Sequence, residues 1–94
     1  PLVSDSEAKN LLSELDGWMI ESVSGIDQLV KTYKFSNYGE SLDFSNKVAD
    51  LAESEDHHPR IVLEYGSVEV SWWSHKIKGL HKNDFICAAK TDLI

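Results

Sequence analysis

Ile61-Val62-Leu63-Glu64-Tyr65-Gly66-Ser67-Val68-Glu69-Val70-Ser71-Trp72-Trp73-Ser74 is the stretch on which the fold turns. β-Branched and aromatic residues crowd both halves, and Gly66-Ser67 between them is a turn signal. The stretch reads as a β-hairpin with strands over 61–65 and 68–74. Successive strand residues point to opposite faces, so one of Trp72 and Trp73 belongs to the core and the other faces a site or an interface.

Upstream, the pattern repeats. Trp18-Met19-Ile20-Glu21-Ser22-Val23 reads as a strand, Ser24-Gly25 as a turn, and 29–35 as the returning strand, with Leu29, Tyr33 and Phe35 on one face. Three helical segments flank these hairpins. Ser4-Asp5-Ser6-Glu7 has the form of a capping box, and Ala8, Leu11, Leu12 and Leu15 follow at helical spacing, so a helix is expected over 5–15, ended by Asp16-Gly17. Asn37 and Glu40 form a second capping pair. Phe44, Val48, Leu51 and Ala52 recur at i, i+4, i+7 and i+8 and carry that helix to about 54, with Asp43, Lys47 and Asp50 off the stripe. Gly79 breaks the chain, and a last helix is expected over 82–92, packing through Phe85, Ala88 and Ala89, with His81 as a solvent-facing cap. The order α-β-β-α-β-β-α with local hairpins predicts an α+β fold: a single domain spanning 1–94, a four-stranded antiparallel sheet and three helices on one face.

Ninety-four residues make one domain, and a domain of this size has a thin core that assembly would reinforce. The formal net charge of -7 argues against nucleic acid, whose phosphates demand a basic surface, and against an anionic membrane. One cysteine, Cys87, allows no internal disulfide, fits a reducing compartment, and reads as a small buried hydrophobe among Phe85, Ile86, Ala88 and Ala89. No apolar run approaches the roughly 18 residues of a membrane span. Pro1-Leu2-Val3-Ser4-Asp5 lacks the basic start and apolar stretch of a signal peptide.

The residues that could do chemistry are histidines at element ends. His57 and His58 follow the second helix, and His75 follows the last strand, which the hairpin returns to the same end. His57 and His58 can serve one site only if the backbone bends there, and Pro59 holds His58 extended. Imidazole titrates near neutrality, so two histidines facing one small molecule can act as base and acid. Glu53, Asp56 and Asp84 are the carboxylates within reach, and a carboxylate can hold an imidazole in one tautomer and stabilise its charged form. Three histidines could also ligate zinc, but neither helical i, i+4 spacing nor a cysteine partner is present, so no metal is expected. There is no nucleophile motif, phosphate-binding glycine loop or dinucleotide fingerprint.

Glu53-Ser54-Glu55-Asp56-His57-His58-Pro59, followed by Tyr65, His75 and Asp84, resembles the signature of the pterin-4a-carbinolamine dehydratases. Gly17-Trp18 is similar to the Gly-Trp that opens the family's first strand, and the likeness covers about 4–94. The resemblance implies a cytoplasmic enzyme that dehydrates 4a-hydroxytetrahydrobiopterin to quinonoid dihydrobiopterin, recycling the pterin without metal or organic cofactor. It implies His57 and His75 as the acid/base pair and His58 as the histidine that mainly binds and orients substrate. Asp56, Trp73, Ser74, His75 and Lys76 match substrate contacts, and Trp18, Glu53 and Asp84 would form the surrounding pocket. It also implies a homo-oligomer, dimer or tetramer, with the sheet edge and the second helix as contact surfaces. Animal members bind a homeodomain transcription factor as coactivators. That role would add a protein partner and a nuclear location, and a binding module that has kept the fold is the alternative to the enzyme.

The chain departs from the family's pattern at three places. Lys76 stands where an acidic residue is common, His81 where a Thr or Ser usually caps the final helix, and Arg60-Ile61 where an aromatic often follows His-His-Pro. A lysine beside His75 disfavours the imidazolium, because like charges destabilise one another. These changes bear on pH optimum and substrate detail rather than on reaction class.

Overall fold

Val68, Val70 and Trp72 are completely shielded from solvent, as period-two alternation requires of one face of a half-buried strand. The computed structural model describes residues 2–94. The elements are α1 (Asp5–Ser13), β1 (Met19–Val23), β2 (Ile26–Lys34), α2 (Tyr38–Glu55), β3 (Arg60–Glu64), β4 (Ser67–Trp72) and α3 (Lys82–Thr91). The four strands form one sheet in the order β1-β2-β4-β3, and every neighbouring pair is antiparallel. The expected α+β architecture and element order are therefore observed.

Both hairpins close through tight turns. Val23 pairs with Ile26 across Ser24-Gly25, whose φ angles of 53° and 80° are both positive, as a turn matched to strand twist demands. In the second hairpin Glu64 pairs with Ser67, so the turn is Tyr65-Gly66, one residue earlier than the sequence suggests. Likewise β2 begins at Ile26 rather than near Leu29, because the two-residue turn lets it pair with all of β1.

The helices start where their caps place them. Ser4 Oγ accepts the Glu7 N–H at 3.2 Å, and Asn37 Oδ1 accepts the Glu40 N–H at 2.8 Å. Helix α1 stops at Ser13, two residues short of expectation. There the bonds tighten to i→i+3, Glu14 N–H to Leu11 O and Leu15 N–H to Leu12 O, and Ser13 Oγ competes for the Asn10 carbonyl.

The core lies between the sheet and the helices. Leu29, Val68, Val70 and Trp72 meet Ala8 of α1, Phe44, Val48 and Ala52 of α2, and Phe85, Cys87 and Ala88 of α3. Fully burying one such large apolar side chain contributes about 1.5–3 kcal/mol. Cys87 is a free, buried thiol, and burial, aided by Glu55 and Asp84, pushes its pKa up to about 11. Ala89 is exposed rather than packed, because the inward stripe of α3 runs through Asp84, Phe85, Cys87, Ala88 and Thr91. Among the described residues no helix is long and apolar enough to cross a membrane.

The end of α3 is tied to the sheet through Asp92. Its carboxylate accepts hydrogen bonds from Trp18 Nε1 at 3.0 Å, from Lys31 Nζ at 2.8 Å and from the Tyr33 hydroxyl. Burial alone would raise the Asp92 pKa, but these donors outweigh it and hold the group below the usual carboxylate range. Burial and the Asp92 charge push the Tyr33 phenol well above its ordinary value.

Candidate active site

Three chain segments converge at one end of the sheet because of strand register. Arg60 opens β3 opposite Ser71 near the end of β4, so the residues before β3 and those after β4 are neighbours. The bend required before them is made by Asp56, which caps α2 in the left-handed conformation at φ 49°, ψ 44°. The His57 N–H then bonds back to Ala52 O at 3.1 Å, the helix-ending pattern that reverses the chain. Aspartate is among the few residues other than glycine that enter this region readily.

His57 and Asp84 form the centre of the site. His57 Nε2 lies 2.5 Å from Asp84 Oδ1, and Asp84 is fully buried. Asp84 Oδ2 accepts the Ser74 hydroxyl at 2.8 Å and the His81 backbone N–H at 2.9 Å. A carboxylate accepts, so Nε2 of His57 carries hydrogen and Nδ1 is its remaining nitrogen for proton transfer. The ring stacks on Trp72 with centroids 5.6 Å apart and planes 8° from parallel.

His75 is held differently. Its Nε2 donates to the His58 carbonyl at 3.1 Å, and its ring stacks on Trp73 at 4.5 Å with an interplanar angle of 19°. The consecutive tryptophans thus divide as strand alternation requires: Trp72 lies in the core under His57, and half-buried Trp73 lies under His75. The loop beyond His75 is closed by the Ser74–Gly79 bridge and tied down by the Val3 N–H bonding to Leu80 O at 3.0 Å. Leu2 packs so tightly on Gly79 that a Cβ there would meet Leu2 Cδ2 at 2.6 Å.

His58 is more exposed and pairs through Nε2 with Glu53 at 2.7 Å. The ring nitrogens of the three histidines thus have separate partners. No group of three or more His, Cys, Asp or Glu side chains is arranged to hold a metal ion among the described residues.

An open cavity of about 780 Å³ joins these groups, with Asp56, His57, His58, Ser74, His75 and Lys76 on its wall. Asp84, buried, and Glu53, exposed, are not on the wall but hydrogen-bond its histidines His57 and His58. Two residues expected here are elsewhere. Trp18 is in the core at the Asp92 clasp, because the parity of β1 turns it toward the helices. Trp73 supports His75 from beneath and is not on the wall. Tyr65, part of the matched pattern, sits exposed in the β3–β4 turn.

The wall also includes His81, Lys82, Asn83 and Ile86 from the start of α3, which sequence reasoning did not assign. Ile86 gave a readable signal, since a large apolar residue off the inward stripe of α3 is left half exposed. His81 caps α3 as expected but is half buried on this wall rather than facing solvent.

Comparisons with known proteins identify the family. The family model described as pterin 4 alpha carbinolamine dehydratase matches residues 1–94. Relatives from Vibrio cholerae and Saccharophagus degradans, each provisionally named pterin-4-alpha-carbinolamine dehydratase, are 58% identical over 98% of this chain and 84% and 81% of their own lengths. A crystal structure described as a transcriptional coactivator/pterin dehydratase from Brucella melitensis superposes with a TM-score of 0.88 at 29% identity, covering 99% of this chain and 97% of that one. A pterin dehydratase-like protein described as a RuBisCO assembly factor shares the fold, with a TM-score of 0.68 at 20% identity over 82% of this chain and 87% of that one. With the whole chain matched and relatives at this identity, the protein belongs to the pterin 4 alpha carbinolamine dehydratase family.

Proposed function

We propose that this chain dehydrates 4a-hydroxytetrahydrobiopterin to quinonoid dihydrobiopterin and water, with His57 and His75 as the proton-transferring pair. One observation carries the reading: a carboxylate-backed histidine and a second, independently held histidine share one open cavity. Family membership supplies the substrate class.

The reaction needs two protons moved. One imidazole delivers a proton to the 4a hydroxyl, which leaves as water. The other takes the proton from N5 as the C4a–N5 bond becomes double. Asp84 fixes the His57 ring and stabilises it when charged, and the His58 carbonyl fixes the His75 ring. His58, Asp56, Ser74 and Lys76 bind and orient the pterin. Dehydration proceeds slowly unaided, so positioned acid–base catalysis worth about 10²–10⁴-fold suffices. The chemistry requires neither metal nor organic cofactor. A homo-oligomer and a cytoplasmic location complete the proposal.

The test is direct. The purified chain should accelerate loss of 4a-hydroxytetrahydrobiopterin, generated in place and followed by absorbance, with undiminished rate after chelation. A rate equal to the buffer blank would overturn the reading. The Brucella relative's description as a coactivator favours a protein-binding module as the second reading. Folded protein without dehydratase activity that binds a homeodomain transcription factor would favour it over the enzyme.

A further inference from the structure

His81 is a weak choice if capping α3 is its only task. Ser, Asp and Asn satisfy a helix N-terminus better than imidazole does. Here Nδ1 accepts the Asn83 backbone N–H at 3.2 Å, and Asp84 Oδ2 accepts the His81 backbone N–H at 2.9 Å. The residue is thus held at both ring and main chain. A ring nitrogen that accepts a hydrogen bond carries no proton, so in the neutral imidazole the hydrogen sits on Nε2. Among the described residues no protein group engages that Nε2. The half-buried ring lines the same cavity as His57, His58 and His75.

A fixed N–H donor without a protein partner, on the wall of a substrate cavity, fits a ligand acceptor. Its rotamer freedom is already spent on the cap, so little is lost when a ligand binds. Lys82 and Asn83 stand on the same stretch of wall and make it rich in donors. We infer that His81 is a substrate-contact residue whose Nε2–H donates a hydrogen bond to an oxygen of the bound pterin. The inference rests on the dehydratase reading and extends it to a fourth histidine with a binding rather than a proton-transferring task. A pterin offers two kinds of oxygen: the ring carbonyl, and the hydroxyls of its side chain where it has one.

His81→Ser and His81→Asn keep a good cap and remove the imidazole. Both variants and wild type would be assayed with 4a-hydroxytetrahydrobiopterin and with the 4a-hydroxy-6-methyl analogue, which lacks side-chain hydroxyls. Losing one neutral hydrogen bond should raise KM about three- to tenfold, with kcat within about twofold. A rise with both substrates identifies the ring oxygen, and a rise only with the biopterin compound identifies a side-chain hydroxyl. Equilibrium binding of 7,8-dihydrobiopterin, read by tryptophan fluorescence, gives a second measure that needs no turnover. Inactive wild type that still binds this probe would sink the dehydratase reading while leaving the His81 contact testable. Unchanged KM and unchanged probe binding in both folded variants would overturn the inference.

Discussion

Asp84 engages three groups with two oxygens: the His57 ring, the Ser74 hydroxyl and the His81 main chain. That links the end of α2, the loop after β4 and the start of α3 through one buried carboxylate. The sequence made the histidines legible, because His57, His58 and His75 stand at element ends and match a specific family pattern. It could not reveal that Asp84 rather than Asp56 would hold His57. That depends on helix α3 docking 27 residues away along the chain. Nor could it separate Trp72 from Trp73 before strand parity was fixed in three dimensions. Lys76, where the chain departs from the family's pattern, lines the same cavity as His75.

Helix α3 depends on its two ends. Its first turn builds the site, and Asp92, just past its last turn, locks it to β2 through Lys31 and Tyr33 and to Trp18, the residue before β1. The Asp92 carboxyl is held below its unfolded value of about 3.9, so its contribution to stability is complete above that value. The contribution is lost as pH falls through the lower, folded-state value. Asp92→Asn should thus cost about 1–2 kcal/mol at neutral pH, since hydrogen bonds to a charged group are worth more than neutral ones. The gap between variant and wild type should close below about pH 4. Thermal unfolding across pH 2–8 checks this, and a gap independent of pH would show that the carboxylate charge is irrelevant. Caps and turns made the elements legible: Ser4, Asn37 and Ser24-Gly25 set their boundaries closely. The Asp92 clasp was not legible, because it joins residues 59–74 positions apart that carry no motif.

The two edge strands, β1 and β3, leave backbone groups unpaired, and Tyr38 and Leu42 stand exposed on α2. A thin core with such surfaces is expected to assemble. Light scattering should report a mass at least twice that of one chain, and Leu42→Glu should shift it downward if α2 is a contact. A concentration-independent monomer would contradict the expectation. The architecture as a whole was readable because hairpins and helical stripes are local signals. Assembly was not, because it depends on surfaces that one chain presents but does not complete. The central claim is that two histidines, His57 and His75, move the protons. Its most direct measurement is the dehydration rate of His57→Ala, His75→Ala and the double variant, with folding verified for each. Each single variant should lose at least tenfold in turnover, and the double variant should fall to near the uncatalysed rate. A folded double variant with wild-type turnover would contradict the account.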